Sequence, residues 1–546
     1  MEELSTDILV IGSGLAGALS ALEAERSGLQ VLVLGKFTIG LGTNSSLAST
    51  FTAANSRFSK EDHLRATLET GRGLNQLSLV KTLVDHGMEA MEALRGFGVP
   101  LVERGTGYTL DRPEHSSRLT GVLFMRILTE RLKRTSVKLL PGLTVFDLVV
   151  EEGKVQGAFG FHNDGKPYLI RAKAVILATG GAGAIYQRND NQRSILGDGY
   201  LLALRAGLPL LDLEFVQCFP FVLAEPKLAT FILPPPYPKD TRVFNEKGED
   251  LLEALGIQGN VNLAVMNQRD RLSLFLYEAS QSGDVYLDLT HVPETEWERY
   301  PLTFLKKSKF PFRDRPFLIS PAVHFFMGGI ETDERGATSL PGLFAAGEVT
   351  WGVHGANRHG GNALTECAVF GKIAAKSAVE HVRSKGEGEP NLLNPEVLLQ
   401  KWERRATRYL RKRRGGFDRP RDLLKELKRL AWSHLGPVRE ETSLKEGLDR
   451  LASMEGKIEK IYPASWGILF RKRDLENMSL LIKAILKGSL LRTESRGSFF
   501  RKDYPNPDDS HGLRTTCYRL DKGEWQITHR PIQSGTPSQR PIDKEG

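Results

Sequence analysis

The stretch Gly355–Leu364, GANRHGGNAL, sets an arginine and a histidine side by side between glycines. Arg358 therefore projects from a bare backbone. A guanidinium with open space around it is either a structural ion-pair partner or a fork that grips an anion, because its planar donors match a carboxylate two at a time. A second glycine-rich stretch lies near the start of the chain. In GSGLAG, Gly12, Gly14 and Gly17 have GxGxxG spacing. That spacing suits a pyrophosphate. The first glycine allows a tight turn, the second lets phosphate approach the backbone, and the third lets helix and strand pack closely. The helix N-terminus then turns N–H groups toward the anion.

Such glycines bind a dinucleotide only between a strand and a helix, and that context is present. DILVIG is a continuous apolar run, as in a strand buried on both faces. GSGLAGALSALEAERSG continues as a helix, and LQVLVLGK reads as a second buried strand. The end of this second strand usually carries Asp or Glu for the ribose hydroxyls. Here it reads Leu34-Gly35-Lys36, which disfavours a plain NAD site. Glu23 and Glu25 lie on the intervening helix, away from that end. Two later strands also end in small-residue turns: AVILATGGAG at 174–183, containing Thr179 and Gly180, and SLPGLFAAGEV at 339–349. A cofactor touched from three separated points is long, and FAD is the natural candidate.

The rest of the chain must position these ends. Its 546 residues exceed one ordinary core, so several domains are expected. Residues 60–100 read as helices. Residues 137–181 read as a β-meander with hairpin turns at EEGK and NDGK. Character changes at 218–320, where prolines cluster in LPPPYPKD and helices follow, as in an inserted domain. The α/β pattern returns at 321–380. A spacer at 384–395 precedes a helical segment to about 490, and the tail from 505 is polar and expected to be partly disordered.

Composition narrows the function classes. Hydrophobic residues make up 40% and charged residues 26%, as in a soluble globular protein. No run of about 18 apolar residues predicts a membrane-spanning helix. The acidic start runs straight into a strand and points to a cytoplasmic protein, peripheral at the inner membrane only through a partner. Cys218, Cys367 and Cys517 are too scattered for a disulfide framework, or for a zinc or iron–sulfur site built from this chain's thiolates alone. The net charge of +8 concentrates in the basic run 401–430, read as a solvated or protein-docking helix face rather than a nucleic-acid site.

Taken together, GSGLAG, ATGGAGAIY, LGDGYLLALRAG, VYLDLTH, HFFMGGI, LPGLFAAGEV, GANRHGGNAL and ESRGSFFRKDYP occur in the order found in one family. The chain resembles the flavoprotein subunits of succinate dehydrogenase and fumarate reductase, a family that includes L-aspartate oxidase, over about residues 5–505. The resemblance implies an α/β fold: a Rossmann-like FAD-binding domain with an inserted α+β capping domain and a C-terminal helical domain. The expected divisions are 1–217 and 321–388 for the FAD-binding domain, 218–320 for the cap, 389–495 for the helical domain and 496–546 for a C-terminal region. Lys36 matches the family's usual small residue plus lysine. By resemblance, Asp198, Glu348, Asn362 and Leu364 contact FAD, with Ser45 near the flavin. Asn44 stands where respiratory members carry the histidine that attaches FAD covalently, so non-covalent FAD is expected.

The family moves a hydride between flavin N5 and a substrate carbon, with a proton on the adjacent carbon. Of its four substrate-binding features, two are matched, by His324 in VHFFMGG and by Arg358. Two are not. Phe219 and Phe221 replace a His and a Thr of the cap, and LPPPYPKDTR replaces the loop that carries the acidic arginine. Charge-assisted bonds worth roughly 1.5–3 kcal/mol each are thereby lost to a second carboxylate. The expected substrate is a small organic acid other than plain succinate or fumarate. Arg269, beside Asp270, is the first candidate for the proton path, and Arg242, near Lys239, the second. His354 is a weaker candidate near the flavin, and His359 a space-filling neighbour. The resulting expectation is an FAD-dependent oxidoreductase, whose possible partner is an iron–sulfur electron-transfer subunit. The alternative is a catalytically inactive FAD-binding subunit kept for complex assembly.

Overall fold

Ile8, Leu9, Val10 and Ile11 are essentially inaccessible, which is why their run shows no alternation: helices or sheet cover both faces of the strand. That strand, Glu2–Ile11, lies at the centre of the largest sheet. It runs parallel to Val31–Gly35 on one side and to Pro167–Leu177 on the other. Lys138–Pro141 extends the sheet beyond Val31–Gly35, also parallel, and Leu343–Ala345 joins the far end of Pro167–Leu177. The expected meander follows, with Leu143–Glu151, Lys154–His162 and Pro167–Leu177 antiparallel in turn. The structure is a computed structural model and describes residues 1–532 except 112–117, 227, 229, 234, 240, 258–260, 300, 309, 385–399, 401–403, 405–419 and 463–464.

Two long helices cover one face of this sheet. Leu15–Glu25 follows the first strand and packs on Asn362–Ser384, both with small residues along the contact. Ser20 Oγ donates to the Gly371 carbonyl at 2.8 Å, and both residues are deep in that contact. The small side chains let the two backbones approach.

The cap is a second, four-stranded antiparallel sheet in the order Val216–Leu223, Phe317–Phe326, Val285–Asp288, Arg242–Asn245. Its own core includes Phe221, Leu272, Leu276, Trp297 and Phe317. The two strands that form the hinge side run through positions 218 and 320 rather than ending there. The cap therefore grows out of the nucleotide layer as continuous β-structure.

Three helices, Pro420–Leu435, Glu441–Glu459 and Trp466–Leu491, pack together. A C-terminal hairpin, Arg514–Asp521 and Glu524–Pro531, pairs with Leu210–Leu211. Most of the spacer at 384–395, much of the basic run and the tail beyond 532 lie outside the described residues. Among the described residues, no helix is long and apolar enough to cross a membrane.

Candidate active site

A cavity of about 930 Å³ opens where the parallel strands end. Gly12, Lys36, Thr179 and Glu348 line it, each just past the C-terminus of a different strand. Ligands in α/β sheets bind at this edge because the following loops and helix N-termini converge there.

At the nucleotide end, Gly12 has φ +115°, and a Cβ there would lie 2.1 Å from the Ala178 carbonyl oxygen. No other residue fits that turn. Gly14 caps the helix Leu15–Glu25 without a side chain, and no acidic residue occupies its first turn. Its N-terminus is thus suited to phosphate. Ser45 Oγ accepts from the Leu15 N–H at 3.0 Å. Gly17 does not line the cavity; it lets the helix sit against Gly12. Lys36 Nζ reaches Asp198 at 2.9 Å and Asp474 at 3.2 Å. Burial works against the charge on Lys36, but the two carboxylates outweigh it and hold its pKa above the usual lysine range. Arg473 approaches the other Asp198 oxygen at 3.4 Å. Asp474 and Arg473 come from the helical domain, and the sequence reading missed both.

Further along, Glu348 accepts from the Phe326 N–H at 3.1 Å and from Asn44 Nδ2 at 3.4 Å. Burial pushes its carboxyl up to about 7. Asn44 also donates to Asn191 Oδ1 at 2.6 Å and accepts from the Gln192 N–H at 2.9 Å. The Thr179 hydroxyl is buried and has no partner among the described residues. Gly180, Ser45, Asp198 and Leu364 also line the cavity. An uncapped helix end, an orphan hydroxyl and a row of amide and carboxyl groups along one trough fit an extended flavin dinucleotide.

Asn362 departs from expectation. It is fully buried, but it accepts from His63 Nε2 at 2.8 Å and donates to Thr67 Oγ1 at 2.9 Å. Its side chain ties its helix to Lys60–Thr70 and does not line the cavity. His354 is likewise committed elsewhere, donating to Glu366 at 3.1 Å in the interior. His359, by contrast, does line the cavity, and burial pushes it down to about 4.

The substrate end collects Arg358, Arg269, His324 and Phe219 on one wall. Arg358 is buried and donates to Gln217 Oε1 at 2.9 Å, while its Nε has no partner among the described residues. Arg269, at the start of the cap helix Arg269–Ser282, donates to the same oxygen at 3.4 Å. Gln217 Nε2 in turn donates to Asn357 Oδ1 at 2.6 Å and to the Arg358 carbonyl at 2.9 Å. Burial, then the neighbouring Arg269, push Arg358 down to about 9. The glycines around Arg358 serve mainly protein contacts: a Cβ on Gly361 would lie 2.3 Å from Thr52 Oγ1. Only Gly360 faces toward Arg269, whose Nη2 would lie 3.5 Å from such a Cβ.

His324 owes its position to a register shift. Gln217 pairs with Phe325 and Cys218 with Val323, so His324 is the extra residue of a bulge. A bulge re-aims its residue without breaking the flanking ladder. The imidazole Nδ1 meets Asp190 Oδ2 at 2.7 Å. The loop that carries Asp190 lies along the same strand, bonded through Val323 N–H to the Arg188 carbonyl at 3.0 Å. Phe219 stacks near both charges, 5.6 Å from the His324 ring and 5.2 Å from the Arg269 guanidinium carbon.

Three expectations fail here. Arg242 points to solvent from the outermost cap strand, stacked loosely on Phe244, while Val243 turns inward. Lys239 is exposed as well, and neither lines the cavity. Phe221 packs edge-on against Tyr237 inside the cap, so only one of the two phenylalanines faces the site. Asp270 also stays outside the cavity, at 3.4 Å from Asn357 Nδ2. Asp190 and Gln217 were missed; the only sequence signal for Gln217 is its place two residues before Phe219.

A family profile described as FAD binding domain matches residues 7–364, and one described as fumarate reductase flavoprotein C-term matches 424–543. The chain is similar to a subunit of the fumarate reductase (CoM/CoB) of Methanothermobacter marburgensis, 31% identical over 531 residues and covering 91% of this chain and 94% of that one. It is similar to the L-aspartate oxidase of Streptomyces coelicolor, 29% identical over 592 residues and covering 99% and 97%. A solved quinol–fumarate reductase chain superposes with a TM-score of 0.88 at 26% identity, covering 98% of this chain and 100% of that one.

Proposed function

From the premise that the chain belongs to the flavoprotein family of fumarate reductase, succinate dehydrogenase and L-aspartate oxidase, and is an FAD-dependent oxidoreductase, we propose that it acts on a small organic acid with one anionic head and an apolar remainder. Bound FAD supplies the two-electron chemistry, a hydride given to or taken from a substrate carbon. Arg358 and Arg269 hold the anionic head. Gln217 presents both guanidinium groups toward it, and His324 stands beside them. The observation that carries this reading is the composition of that wall: buried Arg358 and half-buried Arg269 converge on one acceptor, and Phe219 rather than a polar group closes the space next to them. Ile232, Val265 and Pro236 continue the same apolar side of the cavity. A second carboxylate placed against the Phe219 ring would lose its water without gaining a donor from that ring.

FAD is held non-covalently on this reading, because Asn44 offers no nucleophile and its amide is already engaged on both sides. Electrons leave through an iron–sulfur partner protein, consistent with the similar Methanothermobacter chain being one component of a multi-chain fumarate reductase. The test is anaerobic. Purified holoprotein is mixed with succinate, aspartate, 2-hydroxy acids and aryl- or alkyl-substituted propionates, and flavin bleaching is followed. Chemically reduced protein is mixed with the matching enoates. Bleaching or reoxidation by monocarboxylates in preference to dicarboxylates supports the proposal. A flavin that responds to none of them favours an inactive assembly subunit. Colour that stays in solution after acid precipitation confirms non-covalent attachment.

A further inference from the structure

Hydride exchange on a carbon skeleton also needs a proton at the neighbouring carbon, and the cap loop expected to bring an acid is absent. Arg269 and Arg358 are occupied in holding charge. His324 is different. Its Nδ1 lies 2.7 Å from Asp190 Oδ2, and a carboxylate only accepts, so Nδ1 carries hydrogen and Nε2 is the nitrogen left to exchange a proton. Nε2 has no hydrogen-bond partner among the described residues, and the side chain is 27% exposed in a wall of the cavity. Asp190 is held in turn. Its own N–H donates to the Val323 carbonyl at 3.1 Å, Asn191 Nδ2 donates to its other oxygen at 3.2 Å, and its side chain is only 5% exposed.

Resting on the hydride-transfer reading above, we infer that His324, positioned by Asp190, carries the proton to and from the substrate carbon next to the one that exchanges hydride. In the reductive direction the substrate C=C π bond breaks. One carbon takes the hydride with its electron pair from the reduced cofactor. The adjacent carbon takes the Nε2 proton, so one N–H bond breaks and one C–H bond forms. The imidazole is left neutral, still donating through Nδ1 to Asp190, and regains a proton from water. In the oxidative direction neutral Nε2 accepts the proton.

The charged groups facing the ring set its balance. Burial pushes the imidazole below its usual range, Asp190 works against that, and Arg358 and Arg269 push it down again. Phe219, from the cap strand, adds no charge. Asp190 therefore offsets part of the downward push from burial and from the two guanidinium groups.

The test uses photoreduced full-length holoprotein in stopped flow with fumarate, crotonate and cinnamate, following flavin reoxidation. With the enoate that reoxidises wild type fastest, His324→Gln and Asp190→Asn should each lower the limiting rate by about 100-fold or more, the range of a lost general acid. Wild type should slow as pH rises through the His324 transition. Asp190→Asn should move that transition to lower pH, His324→Gln should abolish it, and Asp190→Glu should recover part of the rate. A purely structural Asp190 would move none of these profiles at equal flavin content. If Asp190→Asn does not fold, nitrogen NMR of histidine-labelled wild type decides instead: an Nε2–H tautomer at His324 overturns the inference, and an Nδ1–H tautomer supports it. If wild type turns over and Asp190→Asn matches its rate and pH profile, the proton assignment falls alone. If no enoate reoxidises the wild type, the hydride-transfer reading falls and the proton assignment falls with it.

Discussion

Gln217 Oε1 accepts from Arg358 Nη2 at 2.9 Å, and the same oxygen is 3.4 Å from Arg269 Nη1. One neutral amide thus joins a buried cation, Arg358, to a half-buried one, Arg269, on the cap helix. Gln217→Leu should leave Arg358 with a second unpaired group besides its Nε. A lost bond to a charged group costs roughly 1.5–3 kcal/mol, so KM should rise about 10- to 100-fold. Flavin content should not change, because Gln217 does not line the nucleotide end. Steady-state kinetics beside the flavin absorbance of each preparation checks this. Gln217→Glu should weaken anion binding further, by placing a competing negative charge against both guanidinium groups.

Lys36 links the nucleotide end to the helical domain through Asp198 and Asp474. The three side chains are about one-fifth exposed, so the pairs are partly shielded from solvent. Asp474→Asn should release Lys36 from the helical domain and weaken FAD affinity by up to about fivefold, the order expected for a partly exposed ion pair. Lys36→Met should cost more, because Asp198 then loses its nearest cation and keeps Arg473 at 3.4 Å. Recovery of flavin fluorescence on dilution measures both. Equal affinity in Asp474→Asn and wild type would count against the helical domain as part of the cofactor site.

Glu348 is a carboxyl whose pKa is raised by burial, to about 7. Its folded form holds a proton that the unfolded chain releases near 4.5. Between those values the native state binds more protons, so this group's contribution to stability is full below about 4.5 and is lost as pH rises through about 7. Glu348→Gln should remove that dependence. The thermal midpoint of wild type should therefore fall relative to the variant as pH goes from 5 to 8. A constant difference across that range would show that Glu348 is ionised throughout.

Much of the nucleotide end was legible because backbone requirements leave fixed signs: Gly12 marks a turn that only glycine makes, and two apolar runs mark doubly covered strands. His324 and Arg358 were legible through motif resemblance. Their partners were not. Gln217 and Asp190 meet these residues across 141 and 134 positions of sequence, through a bulge that periodicity does not announce. Asn362 was misread because packing against Thr67 and His63, not its place in the motif, decides where its amide points. Arg242 was misread for a plainer reason. It sits in a short cap strand whose buried neighbour Val243 forces it outward, an alternation the sequence does contain.

That correction has its own test. Arg242→Ala should leave kcat and KM within about twofold of wild type, as surface changes away from buried features usually do. Arg269→Ala, by contrast, should raise KM severely, because Arg269 lines the cavity and shares the Gln217 acceptor. Parallel kinetics on the two variants distinguishes cap arginines by geometry alone. A large loss in Arg242→Ala would mean that the cap moves enough on binding to bring its outer strand inward.

Phe219 decides which end of the substrate is polar. Its ring is 5.6 Å from His324 and 5.2 Å from the Arg269 guanidinium carbon, so any group beside the anionic head meets its face or edge. Phe219→His would put two nitrogens in that space while keeping an aromatic ring. A charged or hydrogen-bonded carboxylate gains roughly 1.5–3 kcal/mol from a donor it previously lacked. The variant should therefore respond to fumarate or succinate at concentrations about tenfold or more below those wild type needs, and should lose preference for alkyl and aryl acids. Phe219→Ala should lose that preference without gaining the dicarboxylate response, because it removes apolar contact and supplies no donor. Flavin reoxidation by fumarate and by cinnamate, measured on all three proteins, separates the two effects. An unchanged ratio of the two substrates in Phe219→His would place the second substrate group out of reach of residue 219.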